Sequence, residues 1–270
     1  MDMKNTMVKA TEVAEILKAL GYDAEATIVN KNGSEIVGIT MGTGGNVKMN
    51  IYSRFDSDDI NGIVKEVISQ YEHHHSDETD AYFNNLLEEF LDYDKVKGNI
   101  IPYLCKGVMK DAVTRKYLDL NVYYKFLKDD FSITIKKEHL DKWNITETEL
   151  DIQATLNVKD KFEVTDIFNI IPVPDIGMFM KVISRGNPIG SMYGSGALLF
   201  PELFANIDDG KDLVILPSSV HELIVIKPND TDGKIMAEMI QSVNASGKIS
   251  PDEVMSNHPY YYSEGVIKEG

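Results

Sequence analysis

The sequence predicts an α+β fold, with antiparallel or mixed sheets and packed helices. Three observations favour this class. Helical periodicities and strand-like runs follow one another without the regular strand–helix alternation of a doubly wound parallel sheet. Asn32-Gly33 separates two apolar runs, and this dipeptide is the strongest short signal of a β-hairpin. Hydrophobic residues make up 43% of the chain, which is enough for a core.

The first 98 residues predict a helix, a three-stranded meander and two further helices. Residues 6–20 place apolar side chains at helical spacing, and Gly21 suits the helix end. Asp58 or Asp59 can cap the second helix, because acidic groups complement a helix N-terminus. The remaining elements are strands at 24–29, 35–41 and 47–52 and helices at 58–71 and 79–91. The last helix is expected to bury Phe83, Leu86, Leu87, Phe90 and Leu91.

The rest of the chain predicts a mixed α+β part. Thr146 and Glu149 match a capping box, and glycines within the apolar run 191–200 indicate close backbone packing. Residues 159–171 fit either a helix or a strand. Strands are predicted at 100–104, 117–127, 131–136, 178–184, 213–216, 223–226 and 260–262, and helices at 137–143, 147–156, 201–207 and 234–243. A change of composition near residue 98 predicts two subdomains, an acidic one of residues 1–98 and a mixed one of residues 99–270.

Composition excludes several classes of protein. A formal charge of −16 and a pI near 4.8 argue against general attraction to nucleic-acid phosphate, so no direct nucleic-acid binding is expected. The single cysteine, Cys105, excludes a disulfide framework, and its apolar neighbours indicate a small buried residue. No apolar run approaches 18 residues and the first residues lack a signal segment. We therefore expect a soluble cytoplasmic protein that does not bind membranes.

Most of the negative charge lies in one segment of 40 residues. Residues 55–94 contain twelve acidic residues and one lysine, a net charge of −11 out of the chain's −16. One interpretation is a solvated helical face with a loop, and the other is a docking surface for a basic partner or a mimic of nucleic-acid phosphate. The function we prefer is an interaction or regulatory protein with Phe55 or Tyr82 as an apolar anchor. The residues expected to bind the partner are Asp56, Asp58, Asp59, Asp77, Glu78, Asp80, Glu88 and Glu89.

The loop between two predicted apolar strands carries the residue types of a nucleophilic site. Ser218, His221 and Glu222 can serve as nucleophile, base and orienting group. However, Ser and His three positions apart meet only in a helix, and the Gly-x-Ser-x-Gly turn is absent. In a structural interpretation the serines form a turn and the other two side chains satisfy backbone groups. A small hydrolase with its site at 216–222 is therefore the alternative to a non-enzymatic protein.

Two further patterns resemble ligand-binding motifs without meeting their spacing. His73, His74 and His75 follow one another, but three consecutive imidazoles do not converge on one point of a helix. The glycine-rich turn at 42–45 lacks the Lys-Ser/Thr pair of a phosphate-binding loop. The sequence therefore predicts no metal site and no cofactor.

Several stretches of the second part resemble known bacterial sequences. They are 117–120 (Tyr-Leu-Asp-Leu), 143–150 (Trp-Asn-Ile-Thr-Glu-Thr-Glu-Leu), 216–226 (Leu-Pro-Ser-Ser-Val-His-Glu-Leu-Ile-Val-Ile) and the ending with three tyrosines at 260–262. In this order they resemble an uncharacterised bacterial family numbered 5688 among the domains of unknown function. The block around Trp143 also resembles the family numbered 1444. The resemblance implies a compact cytosolic protein often found in mobile or gut-bacterial genomes, with no established activity or catalytic residue.

Overall fold

Helices and antiparallel sheets make up the chain, which is α+β as the sequence predicts. The computed structural model describes residues 3–42, 48–53, 55, 57–74, 77–129, 131–170, 178–186, 192–228 and 233–270. The chain divides into two units, Met1–Phe90 and Leu91–Gly270. The sequence places its boundary at residue 98 instead. Within the described ranges, no helix has both the length and the apolar character needed to cross a membrane.

The first unit packs helices on a three-stranded meander. Asn32 and Gly33 have φ angles of 51° and 82°, which is the two-residue hairpin turn that Asn-Gly predicts. Side chains from both longer helices and the sheet form its core, including Val13, Leu17, Ile39, Met41, Ile63 and Val67. Its elements are α1 (Met3–Ala19), β1 (Ala24–Lys31), β2 (Ser34–Gly42), β3 (Lys48–Ile51), α2 (Ile60–His74) and α3 (Asp77–Phe90).

The sequence predicts more buried side chains on α3 than the structure shows. Leu86 and Phe90 are buried, but Leu87 is 45% exposed and Leu91, just beyond the helix, is 61% exposed. The side chain of Phe83 lies outside the described part of the chain. Helical spacing groups all five residues on one side, yet the neighbouring surface covers only part of that side. The prediction for Leu87 and Leu91 is therefore wrong.

The second unit contains two antiparallel sheets and several helices. A stretch of 3-10 helix, Gly194–Leu199, precedes α7. The elements are α4 (Tyr93–Val96), β4 (Ile100–Cys105), β5 (Thr114–Tyr117), β6 (Leu120–Lys128), β7 (Phe131–Thr134), α5 (Lys137–Trp143), α6 (Glu147–Val158), β8 (Phe162–Asp166), β9 (Met180–Arg185), α7 (Pro201–Ala205), β10 (Leu213–Pro217), β11 (Glu222–Ile226), α8 (Gly233–Ala245), β12 (Tyr260–Ser263) and β13 (Val266–Glu269).

The smaller sheet of this unit is built around β6, and the larger has six strands. β4 pairs with one edge of β6, while β5 and β7 pair with successive parts of its other edge. This central position explains why β6 is buried over most of its length. The larger sheet has the order β13-β12-β10-β11-β9-β8. The neighbouring strands β10 and β11 are the continuous apolar runs of the sequence, and they occupy the middle of that sheet.

The 3-10 helix Gly194–Leu199 packs between strands of both sheets. A Cβ on Gly194 would lie 2.3 Å from the carbonyl oxygen of His221, and one on Gly196 would lie 2.8 Å from that of Pro102. Ser195 is fully buried, and its hydroxyl bonds both the N–H and the C=O of Leu104 in β4 at 3.0 Å. The predicted close backbone packing in this region is confirmed.

β5 and β13 were not predicted from the sequence, and β8 is the strand alternative that the sequence leaves open for residues 159–171. β8 and β13 are the edges of the larger sheet, and each has only a short, mostly exposed or half-buried run. β5 ends at Tyr117, which the sequence places at the start of the next strand. Leu118 has a φ of 54°, so the chain reverses there before β6 begins. Edge strands need few apolar residues, so their sequences lack the pattern that marks a buried strand.

Candidate functional site

The part of the acidic segment that lies in the first unit, residues 55–90, places most of its described carboxylates on the outside of that unit. These exposed side chains are Asp58, Asp59, Glu66, Glu72 and Glu88, while Glu89 is half-buried. Asp56 and the side chains of Asp77, Glu78 and Asp80 lie outside the described part. The charge concentration seen in the sequence is thus mostly presented to solvent in the described part of this unit.

Four of these acids also have contacts within the chain. Glu66 accepts the Ser53 hydroxyl at 2.7 Å, and Glu72 accepts the Tyr22 hydroxyl at 3.1 Å. Lys9 Nζ lies 2.7 Å from Asp58 Oδ1, and this hydrogen bond lowers the pKa of Asp58. Asp59 Oδ1 accepts the Gly62 backbone N–H at 2.9 Å, so Asp59 caps the start of α2. The expectation that Asp58 or Asp59 caps this helix is confirmed for Asp59. The side chains of Asp58 and Asp59 remain on the surface.

Phe55 cannot supply the exposed apolar anchor that the sequence suggests. It is 2% exposed and belongs to the core of the first unit. Its N–H bonds the carbonyl of Ser53 at 3.1 Å, and the ring packs in the core beneath α1 and α2 instead of facing solvent. Tyr82, the other suggested anchor, is half-buried. Leu87, which was expected to be buried, is the large apolar side chain exposed next to Glu88.

The loop between β10 and β11 brings together only two of the three candidate catalytic residues. Ser218 Oγ donates to Glu222 Oε1 at 3.0 Å. His221 is directed elsewhere, since its Nδ1 accepts the Tyr193 backbone N–H at 3.1 Å and its Nε2 lies 3.5 Å from Glu253 Oε1. The segment is a strand connection and not a helix, so positions 218 and 221 point in different directions. The bond from the Tyr193 backbone to His221 is of the kind that the structural interpretation expects, whereas Glu222 bonds the Ser218 side chain and not a backbone group.

His221 anchors the entry to the 3-10 helix, a role that sequence reasoning missed. Its carbonyl accepts the Gly194 N–H at 2.8 Å, and its ring lies 5.2 Å from the ring of Tyr193. Tyr193 has a φ of 64°, an uncommon conformation for a bulky residue. Tyr193 and Glu253 are distant from His221 in the chain and belong to no motif, so no sequence signal could have associated them.

A buried lysine lies in the same region. Lys125 is 6% exposed, and its ammonium group lies 4.8 Å from the Tyr193 ring centroid and 5.4 Å from that of Tyr103. Such cation–π contacts replace part of the hydration that burial removes. Cys105 is also buried, and burial raises the pKa of its thiol to about 12. The thiol therefore stays protonated at neutral pH, in line with the predicted small buried residue.

An apolar pocket lies beside the 216–222 loop, within the second unit. Its volume is about 170 Å³. Strands β10 and β11 form one wall, and α8 with the segment after it forms the other. It is lined by Leu216, Pro217, Ser218, Ile224, Met239, Ile240, Val243, Asn244 and Ile249. Ser218 is the one predicted site residue that reaches it.

The described part of the histidine run at 73–75 does not form a metal site. His73 is exposed near the end of α2, whereas His75 lies outside the described residues. Across the described ranges, no group of three or more His, Cys, Asp or Glu side chains is placed to hold a metal ion.

The comparison with protein families decides where this chain belongs. The model of a family of unknown function, DUF5688, matches residues 6–264 of the 270. The chain belongs to DUF5688. Membership confirms the resemblance carried by the later stretches of the sequence. No curated protein and no solved structure matches this DUF5688 chain.

Two of the stretches that resemble the DUF5688 family meet in space. Asp119 Oδ1 accepts the Tyr260 hydroxyl at 2.7 Å, and Asp119 Oδ2 lies 3.1 Å from His258 Nε2. Burial raises the pKa of Tyr260, and its hydrogen bond to Asp119 adds to this effect. His258 Nδ1 lies 3.0 Å from the carbonyl of Pro259. This network in the DUF5688 chain connects the β5–β6 turn to β12, the second-to-last strand.

Proposed function

We propose that this chain is a non-catalytic interaction protein that holds a protein partner through an acidic surface on its first unit. The supporting observation is the concentration of charge, because residues 55–90 of this unit carry ten acidic residues and one lysine, a net −9 of the −16, and most of their described carboxylates face solvent. The partner is expected to present a basic surface. The acidic surface consists of Asp58, Asp59, Glu66, Glu72, Glu88 and Glu89, with Asp56, Asp77, Glu78 and Asp80 added from the sequence.

The arrangement of α2 and α3 supports docking over simple solubility. The apolar stripe of α2 is buried, with Ile63 and Val67 at most 3% exposed, so its charged side faces solvent. Charges of one sign within about one Debye length, roughly 8 Å at physiological salt, reinforce one another and speed encounter with an opposite surface. Leu87, 45% exposed beside Glu88, adds the apolar contact that holds a complex once charge has steered it.

Two specific versions of this function differ in the partner. In one, the chain is an inhibitor or adaptor carried by a mobile element. In the other, its carboxylates imitate nucleic-acid phosphates, and the partner is a nucleic-acid-binding protein. The identity of the retained protein separates them, because only in the second version is the partner a protein whose own ligand is a nucleic acid.

Hydrolysis at the 216–222 loop is the alternative function, and the geometry favours it less. Ser218 lies at the apolar pocket and bonds the Glu222 carboxylate. A serine nucleophile needs a base, however, and His221 Nδ1 is bonded to the Tyr193 N–H instead. The binding function requires no rearrangement of described residues.

Charge reversal tests the proposed function. In one variant Asp77, Asp80, Glu88 and Glu89 are all replaced by lysine. The immobilised full chain is incubated with bacterial lysate at about 0.1 M and about 0.5 M salt, and retained proteins are quantified by mass spectrometry. We expect the unaltered chain to retain a partner at low salt only. The charge-reversed variant should retain at least tenfold less of that partner.

A matched variant controls for the change in total charge. It reverses four exposed acids of the second unit: Glu163, Asp212, Glu264 and Glu269. This control should retain the partner as the unaltered chain does. Equal loss in both variants, or the absence of any salt-sensitive partner, would contradict the proposal.

A further inference from the structure

We propose that the pocket between the β10–β11 pair and α8 binds a single aliphatic chain whose head group carries no negative charge. The pocket has a volume of about 170 Å³ and is formed wholly by residues of the second unit. This site is separate from the acidic surface of the first unit, and its ligand is a small amphiphile and not a protein.

The walls determine the class of ligand. All but two of the lining residues are aliphatic or sulfur-containing and none is aromatic: Leu216, Pro217, Ile224, Met239, Ile240, Val243 and Ile249. An apolar cavity of about 150 Å³ stays dry and accepts a benzene-sized molecule, so this pocket accommodates about six carbon atoms. Drug-sized ligands occupy roughly 300 Å³ or more, which excludes large ring systems.

The hydrogen-bond donors of the two polar lining residues are already used within the protein. Ser218 Oγ donates to Glu222 Oε1 at 3.0 Å. Asn244 Nδ2 donates at 2.9 Å both to the Ser256 carbonyl and to Asn257 Oδ1. A ligand acceptor inside the pocket would have to displace one of these bonds, at a cost that its own bond would at best repay. The interior therefore favours a hydrocarbon chain.

The mouth of the pocket is apolar and faces solvent. Met239 and Val243 line it while 62% and 51% exposed, so a ligand would remove apolar surface from water. Met239 has an unbranched, flexible side chain that can adapt to a chain entering beside it.

Charge near the rim determines the head group. The Glu222 carboxylate is held next to the pocket by its bond with Ser218. A negatively charged head at the mouth would be repelled by this group, whereas a neutral or positively charged head would not. Alkyl alcohols and alkyl amines therefore fit this site better than fatty-acid carboxylates do.

The proposal is tested with three probes of equal chain length: octylamine, 1-octanol and octanoate. The full chain is titrated with each, using methionine labelled with ¹³C in its methyl group and calorimetry. We expect saturable binding of one amine or alcohol molecule per chain with a shift of the Met239 methyl signal, and at least tenfold weaker binding of octanoate. In the Glu222→Gln variant, octanoate should approach the affinity of 1-octanol.

Two substitutions on the same helix distinguish pocket binding from adsorption to apolar surface. Val243→Trp places a large ring at the mouth and should weaken octylamine binding at least tenfold. Ile235→Trp adds the same ring at a site of equal exposure outside the pocket and should leave binding unchanged. Met239→Gln, which keeps side-chain length, provides a second block if Val243→Trp does not fold. Non-saturable uptake, or equal affinity in the blocked and control variants, would overturn the proposal.

Discussion

Gly194 illustrates, for a single residue, how close the backbone segments of the second unit approach. Its N–H bonds the His221 carbonyl at 2.8 Å, and a Cβ would lie 2.3 Å from that oxygen and 3.0 Å from Ser184 Cα. We expect Gly194→Ala to lower the free energy of unfolding by at least about 2 kcal/mol, because backbone and not a flexible side chain must move. Urea denaturation measures this change.

Gly98 offers the matched control for that substitution. No atom lies within 4 Å of a Cβ at this position. Gly98→Ala should change the free energy of unfolding by less than about 0.5 kcal/mol. Similar effects at the two glycines would show that close approach does not determine the cost.

Cys105 leads to a prediction about pH. Burial raises the pKa of its thiol from an ordinary value of 9.0 to about 12. Between these values the folded chain keeps a proton that the unfolded chain releases, so the stabilisation is complete below pH 9 and is lost as pH rises towards 12. The free energy of unfolding should therefore fall more steeply above pH 9 in the unaltered chain than in Cys105→Ala, by up to about 1.4 kcal/mol per pH unit.

Chemical denaturation at several pH values between 8 and 11 measures the two slopes. The buried tyrosines with raised pKa, such as Tyr124 and Tyr260, act in the same direction. They are present in both proteins, so their effect cancels in the difference of slopes. Parallel curves above pH 9 would show that the thiol loses its proton equally easily in the folded and unfolded chains.

For whole elements, the start of α6 shows how a local motif can determine a helix boundary. The Thr146 hydroxyl accepts the Glu149 N–H at 3.2 Å, and Glu149 Oε2 accepts the Thr146 N–H at 2.8 Å. This capping box was predicted from spacing alone and is confirmed. We expect Thr146→Ala to lower the free energy of unfolding by about 1 kcal/mol, measured by urea denaturation. Thr148→Ala, at an exposed position inside the same helix turn, should have little effect, and an equal loss there would argue against capping.

The strands differ in how far the sequence could identify them. β10 and β11 are continuous apolar runs, and their predicted positions match the middle of the larger sheet. The edge strand β13 was not predicted and β8 was left open between helix and strand, because an edge strand is stabilised mainly by hydrogen bonds to its neighbour and needs little apolar pattern. Hydrogen bonds between distant segments leave no local signal in a sequence.

For the whole molecule, the position of the charge can be read from the sequence, whereas the apolar part of a partner surface cannot. Counting residues locates the net −11 in residues 55–94 without any structure. Whether an apolar anchor accompanies it depends on packing. Phe55 is 2% exposed within the core, while Leu87 is 45% exposed. The sequence therefore suggested Phe55, which is buried, as the apolar anchor, and only the fold shows that Leu87 is exposed and can take that role.

The sequence by itself determined the α+β class, most helices and strands, the capping box, the hairpin turn at Asn32-Gly33 and the membership in DUF5688. Each of these depends on residues close together in the chain or on a pattern spread along it. The tertiary structure decided that His221 bonds Tyr193 and not Ser218, that Asp119 meets Tyr260, and that an aliphatic pocket opens beside α8. These contacts join segments far apart in the chain, and only the packing of the sheets brings such segments within hydrogen-bonding or van der Waals distance.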